Sequence, residues 1–105
     1  MDSMDRREEG FERAFSHQEE LRFKARARRN RKLGAWAGDK LGLAGHALQD
    51  YAAALVARGL VAPDDEALAL ELAEALKPRE VSLHRVRRQM ATFEAEAMAE
   101  IQAGR

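Results

Sequence analysis

The chain contains no cysteine among its 105 residues. That excludes a disulfide framework and a thiolate metal site, and it suits a reducing compartment. Proline is nearly absent: Pro63 and Pro78 are the only two, and each stands where a helical pattern stops. No apolar run approaches the length of a transmembrane span. Residues 1–20, dominated by Asp, Glu and Arg, do not read as a signal peptide. The expectation is a cytoplasmic protein with no direct membrane insertion. Nor is there an excess of either charge. Eighteen basic residues balance eighteen acidic ones, so the chain as a whole is not composed to bind a polyanion.

What is present is charge in blocks. Residues 1–20 hold three basic and seven acidic side chains, a net of −4. Residues 21–40 hold eight basic and one acidic, net +7. Residues 41–80 return to −4, three against seven, and 81–105 stand at +1, four against three. Blocks of alternating sign can dock on one another within a molecule or on a partner of complementary charge.

Alanine, leucine, glutamate and arginine dominate, and β-branched residues are scarce, which predicts an all-α domain. Periodicity gives four helices. The first spans about Glu19 to Leu41, with Phe23, Ala27, Asn30, Gly34, Ala37 and Leu41 on one stripe. Its small residues would let a second helix approach closely, and Asn30, if buried, needs a hydrogen-bond partner. The second runs from His46 to Arg58 and is closed by Gly59, with Leu48, Tyr51, Ala52, Leu55 and Val56 inward. The third starts in the acidic stretch 63–66, suited to a helix N-terminus, and turns Leu68, Leu72, Ala75 and Leu76 inward. The fourth has Ser82 as N-cap and Val81 and Val86 in staple positions. Its core face is Leu83, Val86, Met90, Phe93, Ala97 and Ile101. Short connections make antiparallel neighbours, hence a four-helix body over residues 19–105. Residues 1–18 differ. Phe11, Ala14 and Phe15 make a single apolar turn, too little to hold a free helix, so this segment reads as a mobile arm that becomes helical when something receives it.

A search for reaction chemistry returns little. His17, His46 and His84 are isolated, without a second ligand at metal spacing. The glycines of "GDKLGLAG" match no phosphate-binding fingerprint and read as helix termination. No serine or threonine has an accompanying base. The expectation is a protein that is not an enzyme and has neither cofactor nor metal. The stretch "FKARARRNRKLGAW" (residues 23–36) holds six basic residues in its first ten positions. On composition it has three readings: a solvated face pairing with the chain's own acidic segments, a docking strip for a protein partner, or a nucleic-acid site. The last lacks the basic total and the interleaved aromatics that such sites use, so no nucleic-acid partner is expected.

Residues 13–43, "RAFSHQEELRFKARARRNRKLGAWAGDKLGL", resemble the signature of the α-proteobacterial inhibitor of F-type ATP synthase, the ζ subunit family. The pattern is carried by Phe15, His17, Glu20, Leu21, Phe23-Lys24-Ala25, Ala27-Arg28-Arg29-Asn30, Leu33-Gly34, Trp36-Ala37 and Leu41-Gly42. Asp5, Arg7, Glu8, Phe11 and Glu12 extend it toward the N-terminus. Gly45, Tyr51-Ala52, Asp65-Glu66 and "LHRVRRQM" extend it through the later helices.

The resemblance implies a four-helix body with a mobile N-terminal arm continuing into the long first helix. It implies a regulator whose arm (residues 1–18) enters a catalytic αβ interface of the ATPase head beside γ, becomes helical and blocks rotation during hydrolysis. The implied partners are the α, β and γ subunits, met by a free monomer peripheral to the membrane-bound synthase. The implied contact residues are Asp5, Arg7, Glu8, Phe11, Glu12, Phe15 and His17, with Arg28, Arg29 and Arg31 of the stem meeting either the partner or the chain's own bundle. The alternative is a non-inhibitory helical adaptor of the same fold that binds another protein or a nucleotide. Gly10 departs from the family's usual helix former, and Lys77-Pro78 from its usual passage into the last helix.

Overall fold

A computed structural model describes the backbone of residues 3–105 and the side chains of 13, 14 and 16–105. The described residues form four α-helices and no strand: α1 (Ser3–Lys40), α2 (Gly45–Val61), α3 (Asp65–Leu76) and α4 (Leu83–Gln102). The arm and the first body helix are therefore one continuous element, which begins well before the expected Glu19.

The long helix is the spine of the molecule. It packs antiparallel to α2 on one side and to α4 on the other, while α3 packs mainly against α4 and also touches α1 and α2. Two adjacent stripes on α1 serve the two sides. Asn30, Gly34 and Gly38 lie against α2, and a Cβ added at Gly34 would come within 2.7 Å of the Ala52 backbone. The other stripe holds Ala25, Arg29, Leu33 and Ala37, all buried. Leu33, Leu55, Leu68, Leu72, Leu76, Val86 and Met90 make up most of the core cluster, with Trp36, Tyr51 and Phe93 at its margin.

The helix ends follow from local chemistry. Gly42 adopts φ +83°, and the amides of Gly42 and Leu43 donate to the carbonyls of Asp39 and Gly38 at 3.0 and 2.9 Å. That paired closure requires the left-handed conformation glycine adopts most easily. The Asp64 carboxylate caps α3 by accepting from the Ala67 amide at 2.8 Å. Ser82 caps α4 by accepting from the Arg85 amide at 3.1 Å. Val81 and Val86 are both buried beside that cap, as the staple pattern predicts. Lys77–Arg79 forms a short 3-10 turn from which Arg79 donates to the Leu41 carbonyl at 3.1 Å.

Three expectations need correction. Phe23 is 54% exposed, because α1 has by then outrun the end of α2. Ala75 is exposed, and Ala69 takes the inward place on α3. Gly59 does not close α2, which continues to Val61. It sits beneath Asn30, whose side-chain nitrogen would lie 2.2 Å from a Cβ added there, so its missing side chain makes room for the buried amide.

Candidate partner interface

All the expected contact residues lie on α1, and burial divides that helix sharply. Among the side chains described on it, Ala25 is the first that is buried. Before it, Arg13, Ala14, 16–20 and 22–24 are exposed and Leu21 is half-buried. Residues 13–24 thus form a stem about 18 Å long whose described side chains are mostly exposed, with Arg22 bordering α4 and Phe23 bordering α2 at its C-terminal end. The molecule measures 63 × 25 × 20 Å with a radius of gyration of 17.2 Å, against about 13 Å for a compact domain of this length. Asp5, Arg7, Glu8, Phe11, Glu12 and Phe15 lie outside the residues whose side chains are described. His17 is on the exposed stem.

The basic run does three different things along its length. At its start, Lys24 meets Glu20 of the same helix at 3.2 Å, as Arg22 just before the run meets Glu19 at 2.9 Å, in pairs that are largely exposed. In its middle, the charges turn inward toward α3 and α4. Arg29 is 1% exposed. Its two terminal nitrogens each donate to one oxygen of Asp65 at 2.8 Å. One of these nitrogens also reaches Glu94 at 3.4 Å, and Nε donates to the Asn30 side-chain oxygen at 3.0 Å. This planar, two-pronged arrangement is specific to a guanidinium. It also supplies the partner that a buried Asn30 requires. Arg28 donates to Glu100 at 3.3 Å and to the Arg105 carbonyl at 2.9 Å. Lys32 donates to Glu100 at 2.8 Å and lies 3.6 Å from Glu96. Arg31, by contrast, is exposed and makes none of the ion pairs found among the described residues.

The electrostatics follow the geometry. Hydrogen bonding by Arg29 holds the Asp65 carboxyl below the usual carboxylate range, with Arg26 adding a smaller effect of the same sign. Lys32, then Arg28, does the same to Glu100, and Lys32 is raised in return, chiefly by its bond to Glu100. Glu66 is lowered by its hydrogen bond to Arg87 of α4. Three consecutive residues at the start of α3 therefore face three ways: Asp64 caps its own helix, Asp65 holds α1 and Glu66 holds α4.

Sequence reasoning expected acidic partners for the run in segments 1–20 and 41–80, and Asp65 is one of them. It missed Glu94, Glu96 and Glu100, because the segment that holds them is nearly neutral overall. The signal was the i,i+4 spacing of Glu96 and Glu100, which puts both on the face that meets Lys32. Glu94, on another face of α4, reaches Arg29 instead. The stacking of Arg85 over Trp36, 5.8 Å from the ring centre, was missed as well.

The family model for ATPase inhibitor subunit zeta matches residues 1–100. The chain belongs to that family. No curated protein matches it, and no solved structure does. For this ζ family member, the match takes in the stem and all four helices. No helix among the described residues is long and apolar enough to cross a membrane.

Proposed function

We propose that the chain is a non-catalytic regulator that inhibits ATP hydrolysis by a bacterial F-type ATP synthase. The observation that carries this reading is the family match over residues 1–100, joined to a long helix whose described side chains before Leu21 are all exposed. The arm, residues 1–18, enters a catalytic αβ interface beside γ and resists rotation in the hydrolytic direction. Asp5, Arg7, Glu8, Phe11, Glu12, Phe15 and His17 make the contacts, with Phe11 and Phe15 as apolar anchors. Arg31, exposed on the stem side of the bundle, adds a charge contact. Arg28 and Arg29 act through position: they fix α1 to α3 and α4, and so set the direction in which the stem leaves. A helical segment that inserts into a groove gains affinity from its apolar anchors and loses it to the ordering of its backbone.

The test is ATP hydrolysis by a purified α-proteobacterial F-type ATPase, titrated with the full chain, with residues 19–105 and with Gly10→Ala. The full chain should inhibit saturably. The truncated chain should keep its helical circular dichroism and lose inhibition. Gly10 lies inside α1, where alanine is favoured by about 1 kcal/mol, so the alanine variant should inhibit about fivefold more tightly. Equal inhibition by the truncated chain would remove the arm from the mechanism. No inhibition by any form would favour the adaptor reading.

A further inference from the structure

Where α1 leaves the bundle, large apolar side chains face solvent. Phe23 is 54% exposed, and Leu60 and Val61 at the end of α2 are 63% and 69% exposed. Phe23, Arg26, Ala27, Val56 and Leu60 line a shallow groove of about 210 Å³. Scattered apolar residues on a surface need no explanation, but three large ones gathered at one helix exit mark a contact surface.

The charges around this patch have an order. On a helix, positions three and four apart share a face, so the face centred on Phe23 carries Glu19 and Glu20 on its N-terminal side and Arg26 and Ala27 on the other. Both acids and Arg26 are exposed. A face with acid before an apolar centre and base after it becomes its own complement when turned end for end. If two such helices lie antiparallel with their Phe23 rings opposed, Glu20 of each stands across from Arg26 of the other. Each stem then passes over the Leu60–Val61 end of the other copy. Glu19 and Glu20 are held only by exposed pairs within their own helix, to Arg22 and Lys24. Such pairs contribute little and can exchange.

We propose that this face takes a second copy of the chain, in a two-fold, self-complementary contact. A second copy is the one occupant whose own surface is in view and whose charge order matches. With three large apolar side chains from each copy, the contact belongs to the small, transient class. The chain is then a monomer when dilute and dimerises as its concentration rises, and salt weakens the dimer by screening the Glu20–Arg26 pairs.

Sedimentation equilibrium on the full chain, from about 10 µM to about 1 mM at low and high salt, tests this directly. The wild type should shift from monomer toward dimer across that range, less so in high salt. Phe23→Asp, an exposed substitution whose folding a thermal melt confirms, should stay monomeric throughout. Glu20→Arg and Arg26→Glu should each weaken the dimer by tenfold or more, and the double swap E20R/R26E should restore it. A purely structural role for these residues would not produce that restoration. A wild type that stays monomeric at every concentration overturns the proposal, as does a dimer indifferent to Phe23→Asp or a double swap that fails to restore. If the wild type is monomeric while Phe23→Asp loses inhibition of the ATPase, the patch serves the target, and the second copy is excluded.

Discussion

At the scale of single residues, Arg29 separates the two ways a charge can serve this molecule. Its guanidinium is buried and its partner Asp65 is half exposed, so removing either leaves the other poorly compensated. We expect Arg29→Ala to cost about 2–3 kcal/mol, seen as a fall of about 10–20 °C in the thermal midpoint. Asp65→Asn should cost about 1–2 kcal/mol. Arg29→Lys should not rescue, since one ammonium cannot serve both Asp65 oxygens and Asn30. The pH dependence has a definite sign. Asp65 and Glu100 hold protons less readily in the folded state than in the unfolded chain. Their contribution is therefore complete above the ordinary carboxylate value near about 4 and is lost as pH falls through their lowered folded values. Urea midpoints measured downward from pH 6 should decline more gently in Asp65→Asn than in the wild type. Equal slopes would show that this carboxylate does not drive the acid transition.

At the scale of elements, the caps and apolar faces of α3 and α4 were legible because each obeys a local rule: an acidic or hydroxyl cap, a staple, a three-and-four spacing. The long helix was only half legible. Its α2-facing stripe of small residues shows in the periodicity. Its α4-facing stripe does not, because Arg29 interrupts Ala25, Leu33 and Ala37, and a count of apolar positions passes over a buried arginine. Phe23 was misplaced for the opposite reason: periodicity says which face a residue occupies, not whether a neighbour extends far enough to cover it. Of the expected interface, the exposed stem could be anticipated, whereas the inward turn of Arg28 and Arg29 depended on partners about seventy and forty positions away. The close approach of α1 and α2 yields a paired test. Gly34→Ala must push against the Ala52 backbone, while at Gly38 the added methyl clashes with the end of the Leu48 side chain, 2.5 Å away, which can rotate, and otherwise meets the Tyr51 ring at 3.4 Å. Although alanine is the better helix former by about 1 kcal/mol, Gly34→Ala should destabilise by about 1–3 kcal/mol. Gly38→Ala should be neutral or slightly stabilising. Comparable losses in chemical denaturation would show that helix separation is not set at Gly34.

At the scale of the whole molecule, one helix belongs to two environments. Beyond Ala25 toward the C-terminus, α1 is clamped between α2 and α4. Before Ala25, the described stem is mostly exposed, bordering α4 and α2 near Arg22 and Phe23, and its helicity rests largely on propensity and on i,i+3 and i,i+4 pairs. Amide hydrogen exchange should therefore change steeply near residue 25. Amides of residues 30–40 should exchange only through global unfolding and those of residues 16–22 by local fraying. Uniform protection across α1 would mean that the stem is covered in solution, as a self-associated chain would show at high concentration. Dilution would distinguish that case.

The unbroken course of α1 also means that stem and bundle share one screw axis. Their relative heading is set by residue count rather than by any hinge. A single residue inserted between Leu21 and Ala25 would turn everything before it by about 100° and advance it by about 1.5 Å, whereas an insertion of seven would bring it back to within about 20°. Chain length between anchor and body is thus an angular variable in this protein, and a lengthened stem keeps its aim only in whole turns.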